Sequence, residues 1–426
     1  MRCATVFCLS MGLALSAVSA SAQQNYPRSA SLLPTSGTIA GVSYPATDAR
    51  GADNITPTEA DRLERYTGSA TTSTLYDSPE GGREDVSPGD RVPASAWEGG
   101  DCGYDSCCDN CRGCWYGGLS ALIMTRDRPN EVWLTYPNAS LTTNLMSTQD
   151  SEFDWVSGWE VTLGRRFGCH HAIEARLWGL DEIDHNDNVL DTTAPLDDLR
   201  TPLDFGTIMV GGGLLGDIFD FAREHRVART NQIYSAEINL VSAPLVANYD
   251  SGFGMSWFLG GRYFRFDERL AFSSVDAGFD FGDDPTMEAT YAIDVENNLY
   301  GFQVGSRMDW MITRRLGLYA TPRVGVYAND IDHRSQAYRH DMMSAFDISS
   351  SKEDVALMAE LDLGLNYQVS PRWRAYAAYR AVGISGVALS DDQIPQFIED
   401  VAGITDIDSS GEVILHGAVI GAEYNY

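Results

Sequence analysis

Lysine is almost missing from this chain. Lys352 stands alone, so the 30 basic residues are nearly all arginine, and they face 60 acidic residues for a formal net charge of −30. A polyanion of that size repels nucleic acid, which is therefore excluded as a partner. Long apolar runs are missing too: beyond residues 1–22 no stretch of about 18 apolar residues occurs, which rules out a membrane-spanning helix. There is no Gly-x-Ser-x-Gly elbow, no HExxH pair, no phosphate-cradling glycine loop and no EF-hand spacing. The expectation is accordingly no enzyme, no cofactor and no metal. Asp267, Glu268, Asp276, Asp280, Asp283 and Asp284 crowd one stretch, and without a calcium-loop pattern they read as a solvated surface loop.

Residues 1–22 have the layout of a secretory signal: Arg2, an apolar run, then Ala20-Ser21-Ala22 as a small-residue cleavage site. Residues 23–100 are rich in Ser, Thr, Pro, Gly and acid with no sustained period, the composition of a disordered periplasmic linker. A cell-wall or periplasmic partner for this segment is the alternative. Residues 101–114 form a cysteine-rich cap with Cys102, Cys107, Cys108, Cys111 and Cys114, and Cys169 is the sixth cysteine outside the signal. In an exported chain this spacing favours disulfides over a metal site.

From residue 115 onward one pattern recurs. Side chains alternate between apolar and polar over 115–124, 153–167, 170–180, 234–246, 253–266, 299–312, 315–328, 355–369, 372–386 and 412–426. That is the period of a strand. In 355–369 the apolar row is unbroken: Val355, Leu357, Ala359, Leu361, Leu363, Leu365, Tyr367 and Val369. The final segment alternates to its end, with Tyr424 and Tyr426 on the apolar face. Ten long amphipathic strands suit a tilted bilayer crossing, because only alternate residues then face lipid. The fold expected for 115–426 is all-β, a closed antiparallel transmembrane β-barrel of about ten strands. Residues 205–218, with three consecutive glycines, would make twelve if they formed a further hairpin. Pro322 sits inside a strand where no edge exists to excuse a missing donor, so a bulge is expected there.

Short connections after 167, 246, 312 and 369 alternate with long ones at 125–152, 181–233, 267–298, 329–354 and 387–411. Outer-membrane barrels show this arrangement, with tight periplasmic turns and long external loops. It leaves both termini in the periplasm. Trp115, Phe167, Phe253, Trp310, Trp373, Tyr424 and Tyr426 then fall at the periplasmic strand ends, and Trp155, Tyr234, Tyr263 and Tyr300 at the external ones, as two aromatic belts. The same orientation sets Cys169 below the strand that neighbours Cys114, within reach of Cys114 or Cys111 for a bridge.

The face turned from lipid carries Glu160, Glu174, Glu237, Asp309, Glu360, Asp362 and Glu423 against Arg166, Arg176, Arg262, Arg307, Arg315, Arg323, Arg374 and Arg380. A barrel of this size is nearly filled by its own side chains. Arginine–carboxylate pairs across the lumen are expected to replace a hydrophobic core and to close it. The tetrads Glu182-Ile-Asp-His185 and Asp330-Ile-Asp-His333 put Asp184, His185, Asp332 and His333 near the external rim. Acid and histidine on a ten-stranded barrel are similar to the omptin proteases, whose own motifs are absent; a rim hydrolase and a loop-borne binding or adhesion module are the competing readings.

The terminal strand ending in Tyr424 and Tyr426 resembles that of bacterial outer-membrane β-barrels, which implies recognition by the barrel-assembly machinery. Trp115-Tyr-Gly-Gly-Leu-Ser-Ala-Leu-Ile-Met, Gly158-Trp-Glu-Val-Thr-Leu-Gly-Arg-Arg-Phe167 and Ala236-Glu-Ile-Asn-Leu240 are similar to segments of an uncharacterised outer-membrane β-barrel family of planctomycete-type bacteria. The role expected of the chain itself is structural or passive small-solute transport, porin-like. The resemblance covers 115–426 and implies only a place in outer-membrane lipid. It implies nothing about ligand or oligomeric state.

Overall fold

The computed structural model describes residues 115–426, apart from 152, 168–170, 193–198, 243–245, 249–251 and 396. The signal, linker and cysteine expectations (Cys102, Cys107, Cys108, Cys111, Cys114, Cys169) lie outside the described residues. Ten antiparallel strands form a closed ring. They are β1 (Trp115–Arg126), β2 (Val156–Phe167), β3 (His171–Leu180), β4 (Ala222–Ser242), β5 (Phe253–Asp276), β6 (Glu288–Met311), β7 (Leu316–Arg339), β8 (Ser344–Gln368), β9 (Trp373–Val387) and β10 (Gly411–Asn425). Each pairs with the next in sequence. The ring closes where β1 meets β10, with Tyr116 opposite Asn425 and Arg126 opposite Leu415. Closure removes the unpaired edges that an open sheet would present.

Alternation dictates which face looks where. In the half near the short turns, the outward row is apolar and exposed, with Leu119 67%, Ile238 65% and Phe302 73% accessible. The inward row there is polar: Ser120, Glu160, Arg176, Glu237, Arg262 and Asp362 are buried. Further along the strands the polarity inverts while the period of two continues. On β5, Phe264, Phe266, Leu270 and Phe272 are buried on the inward row, whereas Arg265, Asp267 and Arg269 occupy the alternate, part-exposed positions and form ion pairs. One half has its greasy face outside and the other has it inside.

That inversion corrects two expected loops. Most of 267–298 and 329–354 is strand: β5 and β6 are joined by 277–287, and β7 and β8 by 340–343 alone. Strands of 24 or 25 residues greatly exceed the roughly 10 that cross a bilayer. The excess stands beyond the apolar band, where charge points outward and masks the familiar pattern. The segment Ile183–Leu190 pairs with the upper part of β4 and continues the wall.

Pro322 needs no bulge. It stays in register opposite Leu361 of β8. On its other side the ladder with β6 lapses between Gly305 opposite Arg323 and Met308 opposite Ala320 and resumes unshifted. Proline's missing donor is thus met by skipped rungs instead of an extra residue. Residues 205–218 add no wall strand: they hold a two-residue hairpin pairing, Met209–Val210 with Gly213–Leu214, and most of the short helix α1 (Leu215–Phe219). Arg315, expected on the inward face, lies exposed in the turn before β7.

Candidate functional site: the layered barrel interior

The interior is built in layers because the inward row changes chemistry several times along its length. Nearest the short turns, Tyr116 Oη donates to Glu174 Oε2 at 2.9 Å, Arg374 pairs with Glu423 at 2.6 Å, and Arg307 with Asp309 at 3.2 Å. Arg166 Nη2 donates to Asn425 Oδ1 at 2.9 Å. A cavity of about 140 Å³ lies among these residues and the layer above. Gly164 lies under the ring of Tyr116, where any Cβ would collide with it.

The next layer is a closed ion-pair network of four arginines and four carboxylates. Arg176 Nη2 reaches Glu237 and Glu360, each at 2.7 Å. Arg262 reaches Glu360 at 2.7 Å. Arg380 reaches Glu160 and Asp362, both at 2.7 Å. Arg323 pairs with Glu360 and, at 3.3 Å, with Asp362. Gln303 Nε2 donates to Glu237 Oε2 at 2.7 Å. The eight partners come from seven strands, so their pairs bridge the lumen. Equal numbers of opposite charge, each hydrogen-bonded, are what buried ions require. Every inward residue named from the sequence except Arg315 falls in these two layers.

Above the network sits an apolar layer that includes Leu122, Trp178, Phe264, Phe266, Leu299, Met358 and Ile384, all buried. A second ionic cluster follows. Glu268 accepts from Arg126 Nη1 at 2.7 Å, from Arg229 Nη1 at 2.6 Å and from the Ser390 amide at 2.8 Å; Arg229 also pairs with Asp391. Against the upward push of burial, the two arginines hold the Glu268 carboxyl below its ordinary range. Burial, then the neighbouring Glu268, push Asp391 up. The sequence pattern marks none of these four as a site, and it puts Glu268 in a solvated loop. Its signal was its register: Glu268 continues the even-numbered inward row of Arg262, Phe264 and Phe266.

The far end is filled by a hydrophobic cap. The described residues of 127–155, 191–221 and 388–410 fold in and deliver Leu134, Met146, Phe205, Phe219, Ile398 and Ile407 against Leu270, Phe272, Ile293, Val295 and Ile331 of the wall. Phe205 stacks on Phe219 at 4.5 Å, and Phe219 meets Phe272 at 5.2 Å. His225 is fully enclosed there, with Nδ1 beside Thr135 Oγ1 at 2.8 Å and Nε2 donating to the Phe219 carbonyl at 3.0 Å. Burial lowers its pKa to about 3.

The acid–histidine tetrads do not assemble. Neighbours in a strand point to opposite faces, so Asp332 is exposed while His333 is buried, with Ser350 at 3.3 Å from Nδ1. Burial lowers the pKa of His333 to about 4. Asp184 is exposed, and His185 faces Asp154 at 3.9 Å. The strand bearing His185 and strand β7 are separated by β4, β5 and β6, four strand spacings or roughly 15 Å or more.

No protein-family model matches the sequence, and no curated protein matches it. Among solved structures, the outer membrane protease OmpT of Escherichia coli aligns at 10% identity and a TM-score of 0.42, covering 74% of this chain and 97% of that one. A major outer membrane protein from Thermus thermophilus aligns at 12% and 0.30, covering 74% and 100%. The toluene transporter TodX of Pseudomonas putida aligns at 9% and 0.26, covering 74% and 90%. At these scores the strand pairing, and not the likeness, defines the fold.

Proposed function

We propose that this chain is an integral β-barrel of the bacterial outer membrane with a structural role, its lumen shut at rest, and both ends of the barrel chain on the periplasmic side. The observation that carries this reading is the polarity inversion along the strands: an exposed apolar band around a polar interior on one half, and the reverse on the other. Such a band in water would be one large sticky patch, whereas in hydrocarbon it is at home. Lipid is thus the first partner, assembly machinery that reads the last strand is the second, and no catalytic role is assigned. Residues 23–100 are proposed to reach a cell-wall or periplasmic partner or to act as a linker, and the planctomycete-type barrel family is the proposed kinship.

Five stacked layers support closure over free passage. The passive-transport reading draws on the cavity of about 140 Å³ beneath the ion-pair network, which gives small solutes a vestibule. Single-channel recording of the folded chain in planar bilayers separates the two. Electrical silence is expected; steady, discrete conductance would make the protein a passive small-solute channel.

A further inference from the structure

Exposed arginine marks the short-turn end of the barrel. Arg165, Arg314, Arg315 and Arg372 are all exposed there, and among the described residues no exposed Asp or Glu accompanies them. Arg165 is out of place by pattern. It occupies the outward row of β2 between Leu163 and Phe167, where the neighbouring strands offer Trp115 and Ile173, and Phe167, Trp115 and Ile173 are exposed apolar groups. No carboxylate pairs with it among the described residues; its guanidinium lies over the Trp115 ring at 5.4 Å.

From that point an aromatic arc crosses the closure of the ring. Trp115 neighbours Tyr426, whose amide donates to the Trp115 carbonyl at 2.9 Å. Tyr426 meets Tyr424 edge-on at 4.6 Å, and Tyr424 meets Trp373 at 4.9 Å. Arg372 then ends the arc, with only a long 3.5 Å contact to Tyr424 Oη. Aromatic rings at the headgroup level anchor a barrel, and unpaired guanidinium groups at that level match phosphate oxygens two at a time.

We propose that this arc is a binding site for anionic phospholipids of the leaflet facing the short turns, with one headgroup phosphate on Arg165 and one on Arg372. The inference rests on the membrane reading above. Three strand spacings, about 14 Å, separate the two flanks, farther than one phosphate reaches, so the arginines hold separate headgroups. Trp115, Tyr426, Tyr424 and Trp373 between them face the glycerol and upper acyl chains.

The test uses the full chain folded into phosphatidylcholine vesicles, with or without phosphatidylglycerol at about a quarter of the lipid, an anionic fraction large enough to populate a headgroup site. The electrophoretic shift on heating reports insertion, and native mass spectrometry reports retained lipid. Wild type should prefer phosphatidylglycerol by about fivefold per arginine. Arg165→Gln and Arg372→Gln should each remove one step and the double variant both, Arg165→Lys should keep part of its step, and Arg269→Gln at the opposite end should change nothing. Equal preference in the double variant, or none in inserted wild type, overturns the proposal while leaving the membrane reading intact. Preference erased by inorganic phosphate alone overturns it in favour of a free-anion site. Failure to insert into any vesicle rejects both.

Discussion

Glu360 is the most heavily used carboxylate in the lumen. It accepts from Arg176 and Arg262 at 2.7 Å each, pairs with Arg323, and lies 3.4 Å from Arg380. Removing its charge leaves four arginines sharing three carboxylates in a buried layer. Breaking a buried pair costs about 3–5 kcal/mol, because the partner's charge stays behind uncompensated. Glu360→Gln should therefore lower unfolding stability in detergent micelles by about that much. Glu423 pairs with one arginine, Arg374, accepts a longer hydrogen bond from Asn425 Nδ2 at 3.3 Å, and stands next to the cavity. Glu423→Gln should cost nearer 1 kcal/mol. Equal losses in urea titrations of the two variants would show that the network does not act as a unit.

At the scale of elements, the cap differs from the wall it fills. It consists mostly of irregular segments joined by apolar contact, with two short helices, Leu215–Phe219 and Val401–Thr405. His225 has a pKa of about 3 in the folded cap against 6.5 ordinarily, and His333, at about 4, shifts the same way. Below pH 6.5 the unfolded segment takes up a proton that the folded one refuses. This stabilisation is complete above that pH and is lost as pH falls toward the folded values. Amide exchange across 199–221 should speed up between about pH 7 and pH 5, after correction for intrinsic rates, and His225→Gln should flatten the response. An unchanged response would mean that other groups govern the cap.

The cap was also the part least readable in advance. Leu134, Phe205 and Phe219 belong to segments without a period, and nothing local announces that they fold inward. The membrane-level strands were readable because an apolar row such as Leu357, Leu361, Leu363 and Leu365 repeats every second residue against charge. Their extensions were not, because the row of Leu270 and Phe272 lies opposite Arg269 and Asp267 with the sides exchanged, and hydrophobicity then marks the inside. The same inversion hid the cluster of Arg126, Arg229, Glu268 and Asp391. The waist network was readable in its membership, from parity alone; the partner choices across the lumen, such as Arg380 with Glu160, depend on curvature that no sequence period carries.

For the whole molecule, the apolar band decides the solvent it needs. Leu119, Trp159, Ile173, Ile238, Leu259, Phe302, Val326, Leu357, Tyr379 and Ile420 are exposed on successive strands around the ring. A belt of that size far exceeds the few hundred square ångströms of apolar patch that a soluble monomer tolerates. The folded chain should be monodisperse in detergent and associate when detergent is removed, as light scattering would read; a dispersed, folded monomer in plain buffer would overturn the membrane reading.

The meeting of β1 and β10 has a consequence for biogenesis. Tyr116 and Asn425 lie at opposite extremes of the described chain, so the last rungs of the cylinder can form only after everything between them is in register. Contacts of such long range form slowly. Until they do, the curved sheet carries two bare margins, each able to zip onto another copy. The interval between synthesis and closure is thus the hazardous part of this protein's life, and sheltering it is a physical requirement of the topology.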